Sequence, residues 1–150
     1  MSIAELLTAD RVVLGLDVAD QAALLAALAR RAAPPSAIDA SAIVAALTAR
    51  EALGSTGLGQ GFALPHARLG GIAAPVGVFA RLARPIGFAA IDGAPVDLAF
   101  LLLTPARANA ATLAALAAIA RRMRAAGVAA RLRAAGTAAE LLAILTAAEG

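Results

Sequence analysis

A nearly continuous apolar run at residues 96–103, with the sequence VDLAFLLL, is the feature that most restricts the fold of this chain. A strand with one face in water alternates polar and apolar residues, whereas a strand covered on both faces reads as a continuous apolar segment. The run therefore predicts a buried strand that ends at Thr104-Pro105. Such a strand needs a packed layer on each side, which helices can supply.

Strand and helix patterns alternate on either side of this run. Strands are predicted at residues 11–16, 61–64 and 76–82, with a strand end or edge at 84–88. Helices are predicted from Ser2 through Leu7, over 21–30 before Pro34-Pro35, from Asp39 or Ser41 to Glu51, and over 109–126, 128–135 and 137–148. The helix at 109–126 is predicted to bury a stripe made of Leu113, Leu116, Ile119 and Met123. We expect an α/β (α+β-like) fold: a single domain over residues 1–150, with a mixed β-sheet of about five strands flanked by helices on both faces.

The composition excludes several classes of protein. The chain has no cysteine and one histidine, so it offers neither a disulfide framework nor the side chains of a structural zinc site. The formal net charge is only +3 and there is no Trp or Tyr, whereas nucleic-acid-binding proteins often add stacking aromatics to a basic face. No run is long and apolar enough to span a bilayer, and the first residues lack the pattern of a signal peptide. We therefore expect no metal, no nucleic acid, no membrane insertion and a cytoplasmic location.

Four glycines, at 54, 57, 59 and 61, lead into the only histidine of the chain, His66. Their backbone N–H groups can cradle an anion, and glycine also permits the positive φ of tight turns, so both interpretations stay open. The loop is not a Walker A loop, because no Gly-Lys-Ser/Thr sequence follows it. A dinucleotide-binding loop is excluded as well, since that loop follows a strand and opens a helix, whereas this one follows a predicted helix.

His66 is the candidate nucleophile of this stretch. A single histidine is more often an ordinary surface or packed residue, but its neighbours favour a functional role. Arg50, Arg68, Ser55 and Thr56 carry the kinds of groups that bind phosphoryl oxygens. The absence of a second histidine as partner base argues against acid–base hydrolysis. It is compatible with a nucleophile that receives a phosphoryl group, for which positioning and charge stabilisation dominate.

Other charged residues have simpler interpretations. Asp92 precedes Gly93 and is predicted to be a turn residue. Asp97 begins the buried strand and is predicted to cap it or to pair with an arginine. A loose group of arginines is interpreted as a solvated helix face, with a docking surface for an acidic partner as the alternative; it comprises Arg121, Arg122, Arg124, Arg131 and Arg133.

The stretch at residues 50–68, REALGSTGLGQGFALPHAR, closely resembles the signature of the mannitol/fructose-type (type 2) enzyme IIA domain of the bacterial phosphotransferase system. The resemblance extends to residues 85–98, 101–105 and 131–135, and so covers nearly the whole chain. The sequence GSTG at 54–57, and the absence of fused IIB and IIC domains, look most like the nitrogen-regulatory branch of this family.

The resemblance implies a mixed sheet flanked by helices and a phosphoryl-carrier function without a cofactor. His66 matches the histidine that accepts a phosphoryl group from phospho-HPr or its nitrogen-branch counterpart. Arg50 matches the arginine of the active site, and Ser55 and Thr56 match its hydroxyl-bearing glycine loop. An active member would be a transferase. The nitrogen branch mainly regulates target proteins, such as kinases or potassium transporters, according to its phosphorylation state.

One position departs from the family pattern. The family usually carries a second histidine early in the helix after the Leu-Leu-Leu-Thr-Pro strand, and Thr112 occupies that place here. A threonine hydroxyl can donate one hydrogen bond but cannot carry charge. Two alternatives to a phosphoryl-carrying regulator therefore stay open: a regulatory binding module with weak or no phosphotransfer, and a sugar-specific enzyme IIA that passes phosphate to a separate EIIB.

Overall fold

The apolar run at 96–103 forms the central strand of a mixed sheet, in a computed structural model that describes residues 2–36, 38–107 and 109–147. The strands are β1 (Val12–Leu16), β2 (Gly57–Gly59), β3 (Phe62–Ala63), β4 (His66–Leu69), β5 (Val76–Ile86) and β6 (Val96–Pro105). The helices are α1 (Ile3–Leu6), α2 (Gln21–Ser36), α3 (Ala40–Ala52), α4 (Asn109–Arg124), α5 (Val128–Ala134) and α6 (Ala138–Thr146). None of these helices is long and apolar enough to cross a membrane.

Strand β6 is paired along both of its edges. On one edge it pairs antiparallel with β5, which in turn pairs parallel with β1. On the other edge it pairs parallel with β3 and with β4, and β2 closes a short antiparallel hairpin onto β3. Because both edges of β6 are hydrogen-bonded and both faces are covered, nearly all of its residues are buried, as the apolar run predicts.

Strands β3 and β4 are two parts of one extended segment that runs parallel beside β6. Phe62 pairs with Leu98 and His66 pairs with Leu102, in the same register. Pro65 interrupts the ladder because it has no N–H to donate, but its carbonyl still accepts a bond of 3.0 Å from the N–H of Leu102. The alternation of an extended chain then places His66 on the same face of the sheet as Leu102.

Two apolar clusters cover the two faces of the sheet. One combines Leu98, Phe100 and Leu102 of β6 with side chains of α1, α4, α5 and α6. The other combines Ala99, Leu101 and Leu103 with side chains of α2 and α3. Full burial of a Leu or Phe side chain contributes about 1.5–3 kcal/mol, so this two-sided burial is the main stabilising term of the fold. It confirms the predicted mixed sheet flanked by helices on both faces.

Several predictions of local structure need correction. Helix α2 continues through Pro34-Pro35 to Ser36, although each proline removes one i→i−4 hydrogen bond. The sheet has six strands in the described part of the chain, because β2 and β4 form in a segment that reads as loop. The predicted buried stripe of α4 is wrong at Leu113, which is 67% exposed, whereas Thr112 is buried at 6%. Thr112 therefore takes the place of Leu113 in the buried stripe. The two positions differ by about 100° around the helix axis, the angle of one helical residue.

Candidate functional site

His66 is the first residue of β4 and is half-buried, with an apolar groove on one side and a cleft that contains two arginines on the other. Its Nδ1 lies 2.8 Å from the carbonyl oxygen of Leu64. A carbonyl only accepts hydrogen bonds, so Nδ1 carries the proton in this contact. In the neutral ring the lone pair is then on Nε2, which is the nucleophilic nitrogen.

The surroundings of His66 keep its imidazole neutral. Burial lowers the pKa of His66 below its usual 6.5, and the nearby charge of Arg50 lowers it further. The hydrogen bond to Leu64 and the carboxylate of Glu51 act in the opposite direction, but the net pKa shift is downward. A neutral imidazole is the reactive form for nucleophilic attack, so the site favours the nucleophile near pH 7.

The cleft with the two arginines has a volume of 530 Å³ and brings His66 together with Arg50, Arg68 and Thr112. Arg50 lies in the last turn of α3, and its Nη1 donates a 2.9 Å bond to the carbonyl of Gly54, as expected for a side chain directed at the glycine loop. Arg68 follows His66 by two residues on β4, so both side chains lie on the same face of the strand. No Asp or Glu among the described residues lines the cleft, which suits an anionic group.

Ser55 and Thr56 follow Arg50 closely in the chain, but their hydroxyl groups are hydrogen-bonded to other parts of the loop and its surroundings. Ser55 Oγ donates to the carbonyl of Phe88 at 2.8 Å and accepts from the N–H of Gly57 at 3.0 Å. Thr56 Oγ1 donates to the carboxylate of Glu51 in a short hydrogen bond. Each hydroxyl has one proton to donate. The structure therefore uses both hydroxyls to hold the loop, and their contact with phosphoryl oxygens stays a prediction.

Glu51 positions the glycine loop, a part that the sequence pattern did not indicate. Its carboxylate also accepts a 3.1 Å bond from the N–H of Thr56 and a 3.3 Å bond from the amide of Gln21. A carboxylate near the C-terminal end of a helix interacts unfavourably with the helix dipole. The position of Glu51 in the last turn of α3 is therefore the sequence feature that could have indicated a specific partner for it. Glu51 fixes the entry of the glycine loop and adds negative charge near His66.

The glycine loop is held by side chains from outside it, through the turn at residues 59–61. Asp92 accepts a 2.8 Å bond from the N–H of Gln60 and a 3.0 Å bond from that of Ala94, which confirms the predicted turn residue. Gly59 and Gly61 have positive φ values of 93° and 82°, so this part of the loop is a tight turn that needs glycine.

Asp97 pairs with Arg133 at 2.9 Å, which confirms its prediction as an arginine partner. Arg133 also donates a 2.7 Å bond to the carbonyl of Gln60. A Cβ on Gly61 would lie 2.4 Å from Arg133 Nη2 and 2.7 Å from Asp97 Oδ1. The hairpin that leads to His66 is thus clamped between β6 and α5.

The apolar groove has a volume of 390 Å³ and contacts His66 from the other side. Leu58, Phe62, Leu64, Leu116 and Met123 line it. Large apolar side chains are also exposed around the site: Leu53 at 84%, Leu58 at 49% and Leu113 at 67%. A concave apolar surface beside a nucleophile suits contact with another protein. The described residues contain no group of three His, Asp or Glu side chains that could hold a metal ion.

Comparison with known proteins agrees with this geometry. A family model described as "Phosphoenolpyruvate-dependent sugar phosphotransferase system, EIIA 2" matches residues 5–148. A nitrogen regulatory protein of Bradyrhizobium diazoefficiens is 43% identical over 124 residues, which are 83% of this chain and 81% of that protein. A match of this length and identity shows membership of a family.

Solved structures give the same result. The nitrogen regulatory protein IIA-Ntr of Neisseria meningitidis has a TM-score of 0.92 at 37% identity, covering 96% of this chain and 99% of that one. Enzyme IIAMTL, in its complex with phosphorylated enzyme IIBMTL from Escherichia coli, has a TM-score of 0.75 at 19% identity, covering 93% and 96%, and shares the fold. The chain therefore belongs to the EIIA type 2 family of the phosphotransferase system, with its resemblance to the nitrogen-regulatory branch confirmed.

Proposed function

We propose that residues 1–150 act as one unit that carries a phosphoryl group on His66 and signals by phosphorylation-dependent binding of other proteins. The donor is the phosphohistidine of an HPr-type carrier, and the reaction needs no cofactor because the N–P bond of the donor is already activated. The observation that carries this proposal is the 2.8 Å contact of His66 Nδ1 with the Leu64 carbonyl, beside two arginines. It holds one ring nitrogen as a donor and leaves Nε2 to attack phosphorus.

The transfer step balances without an added acid or base. Nε2 of neutral His66 attacks the phosphorus of the carrier's phosphohistidine, the Nε2–P bond forms, and the N–P bond of the carrier breaks. The carrier's phosphohistidine reacts with its other ring nitrogen protonated, so the electron pair of the broken bond leaves the carrier with a neutral imidazole. The proton on His66 Nδ1 remains in its bond to Leu64 throughout, so the positive ring charge passes from the carrier to phosphorylated His66.

Arg50 and Arg68 stabilise the transferred group. The charge of the phosphoryl group is spread over its three equatorial oxygens, and catalysis of such transfers rests on positioning and electrostatic stabilisation. Both arginines line the cleft that contains His66, whereas Ser55 and Thr56 hold the loop. Thr112, buried at 6% and lining the same cleft, occupies the place of the family's second histidine without its charge.

A reconstituted transfer assay tests the proposal. The chain is incubated with enzyme I, an HPr-type carrier and phosphoenolpyruvate, and one acid-labile phosphate per chain is expected. His66→Ala should accept none, whereas a change away from the site, Arg30→Gln at an exposed position of α2, should leave labelling unchanged. Labelling of His66→Ala at the wild-type level would show that the acceptor is elsewhere.

The exposed leucines beside the cleft favour a regulatory output. A phosphoryl group adds about 1.5–2 negative charges at pH 7, which disfavours an apolar partner surface placed over Leu53 and Leu113. Targets such as kinases or potassium transporters would then bind the unmodified chain. Pull-downs with His66→Ala and with His66→Asp should recover different sets of proteins. Recovery of the same set by both variants would argue against a switch.

Transfer to a sugar-specific EIIB is the alternative output. Enzyme IIAMTL shares this fold and was solved with phosphorylated enzyme IIBMTL, which makes an EIIB a reasonable acceptor to test. Incubation of the phosphorylated chain with an isolated EIIB from the same organism distinguishes the two outputs. Rapid loss of phosphate from His66 to that EIIB would favour a sugar-transport function over a regulatory one.

A further inference from the structure

Positive charge is concentrated around one depression at the C-terminal end of α4 and the start of α5. The depression has a volume of 700 Å³. Four arginines line it, and we call them the arginine surface: Arg121, Arg122, Arg124 and Arg131. No Asp or Glu among the described residues lines it. These four charges exceed the formal net charge of the chain, which is +3.

The arginine surface contains four of the five arginines that are grouped in the sequence; Arg133 is not part of it. Arg133 belongs to that group by position, but its guanidinium is bound to Asp97 and to the carbonyl of Gln60. It therefore holds the hairpin and does not contribute to the depression. The helix dipole stabilises arginine in each C-terminal turn, but it does not explain why two helices contribute four arginines to the lining of one depression. Four positive charges along one depression favour an anionic occupant.

Parts of the arginine surface are already oriented. Arg122 Nη2 donates a short hydrogen bond to the carbonyl of Ala147, and Arg124 Nε donates a 3.3 Å bond to that of Ala120. A side chain that is restrained before binding loses less conformational entropy when a partner binds. The guanidinium groups of Arg122 and Arg124 have further N–H groups besides these, which suit bidentate contact with carboxylates.

The arginine surface is continuous with the apolar groove of the candidate site. Ala117 and Arg124 line both the depression and the groove, and the groove also contains His66. A protein that covers the groove in order to reach His66 therefore lies over Arg124 and extends toward its neighbours. Its contact surface must match both properties, an apolar centre and a positively charged side.

We propose that the protein that docks at His66 carries a cluster of carboxylates on the side that faces the C-terminal end of α4. The occupant is an acidic surface of the phosphoryl carrier, so this inference rests on the proposed function. Charge complementarity of this kind raises the association rate and fixes the orientation of docking. RNA is less favoured, because the chain has no Trp or Tyr for base stacking.

The test compares two double variants of equal charge. Arg121→Glu/Arg131→Glu reverses the arginine surface, and Arg30→Glu/Arg84→Glu makes the same change in net charge at exposed positions on α2 and β5. The second-order rate of phosphoryl transfer from the phosphorylated carrier is measured at low and at high salt. At low salt we expect the first variant to lose about 10-fold or more in rate and most of its salt dependence, with a smaller loss in the control. A rate equal to that of the control would overturn the inference, and a faster rate would show that the partner surface is basic.

A small-molecule donor separates this inference from the proposed function. Phosphoramidate phosphorylates histidine without a docked protein, so both variants should react with it at the wild-type rate. Failure of the wild type with both donors would refute the acceptor role of His66 itself. Normal labelling by both donors in the reversed variant, together with a loss of binding to RNA or to anionic vesicles, would assign the arginine surface to a different partner and overturn the inference.

Discussion

Nδ1 of His66 and the carbonyl oxygen of Leu64 lie 2.8 Å apart, across Pro65. Pro65 restricts the backbone between them, because its ring fixes φ. The contact places the proton on Nδ1 and the lone pair on Nε2, the nitrogen that we propose as the nucleophile. The sequence indicates the histidine, whereas the choice between its two nitrogens depends on this tertiary contact.

The lowered pKa of His66 predicts the pH dependence of phosphorylation. Nε2 is nucleophilic only in the neutral ring, so the rate with phosphoramidate should be constant near pH 7 and fall only below pH 6.5. In the same acid range the unfolded chain binds more protons at this residue than the folded chain, so the contribution of His66 to stability is lost as pH falls through 6.5 toward the lower folded pKa. Nuclear magnetic resonance titration of the ring checks both points. A midpoint above 6.5 would contradict them.

Arg50→Gln should affect both the reaction and the titration of His66. Removing a donor that stabilises transition-state charge typically costs about 100-fold in rate, and we expect a loss of that order in transfer from the carrier. The charge of Arg50 lowers the pKa of His66, so the variant should also show a higher pKa at that ring. An unchanged pKa with a slower rate would mean that Arg50 acts only through its bond to the Gly54 carbonyl.

Thr104→Val should leave stability unchanged or increase it. The side chain is 1% exposed, and its hydroxyl has no hydrogen-bond partner within the described residues. A buried hydroxyl without a partner carries a desolvation penalty, so an isosteric methyl group should raise the free energy of unfolding by up to about 1 kcal/mol. Urea unfolding measures this change. A decrease of the same size would show that the hydroxyl is satisfied in solution.

Thr112→His should restore the family's second histidine and accelerate phosphoryl transfer to His66. The position is buried at 6% but lines the 530 Å³ cleft, which leaves room for the larger ring. A second imidazole can carry positive charge beside the phosphoryl group, which threonine cannot. Thr112→Asn is the control for size and polarity. Equal rates in the two variants would mean that charge at this position does not limit the reaction.

Gly61→Ala should destabilise the hairpin that leads to His66. The residue has a φ of 82°, and a Cβ there would lie 2.4 Å from Arg133 Nη2. The left-handed backbone alone costs about 1–2 kcal/mol, and displacement of the Arg133–Asp97 pair adds to it. Gly70→Ala is the matched control, because nothing lies within 4 Å of a Cβ there. Thermal unfolding should show a clear loss for the first variant and little change for the second.

Much of the fold could be predicted because its signals are local. The apolar run at 96–103 indicated a strand covered on both faces, and helices α3, α5 and α6 lie close to their predicted ranges. Strands β2 and β4 could not be predicted, since their short glycine- and arginine-containing sequences have little strand propensity. They form because β6 and β3 offer unpaired backbone groups next to them.

By itself the sequence determined the family resemblance, the buried central strand and the single histidine of the chain. Only the tertiary structure decided what the polar side chains around that histidine do. In it Arg50 and Arg68 line the cleft, the hydroxyls of Ser55 and Thr56 form hydrogen bonds that hold the loop, and Thr112 is buried. The physical reason is that hydrogen bonds and ion pairs depend on angstrom-scale distances between residues far apart in the chain. Burial of apolar side chains, in contrast, follows from the spacing of apolar residues along the chain, which the sequence shows directly.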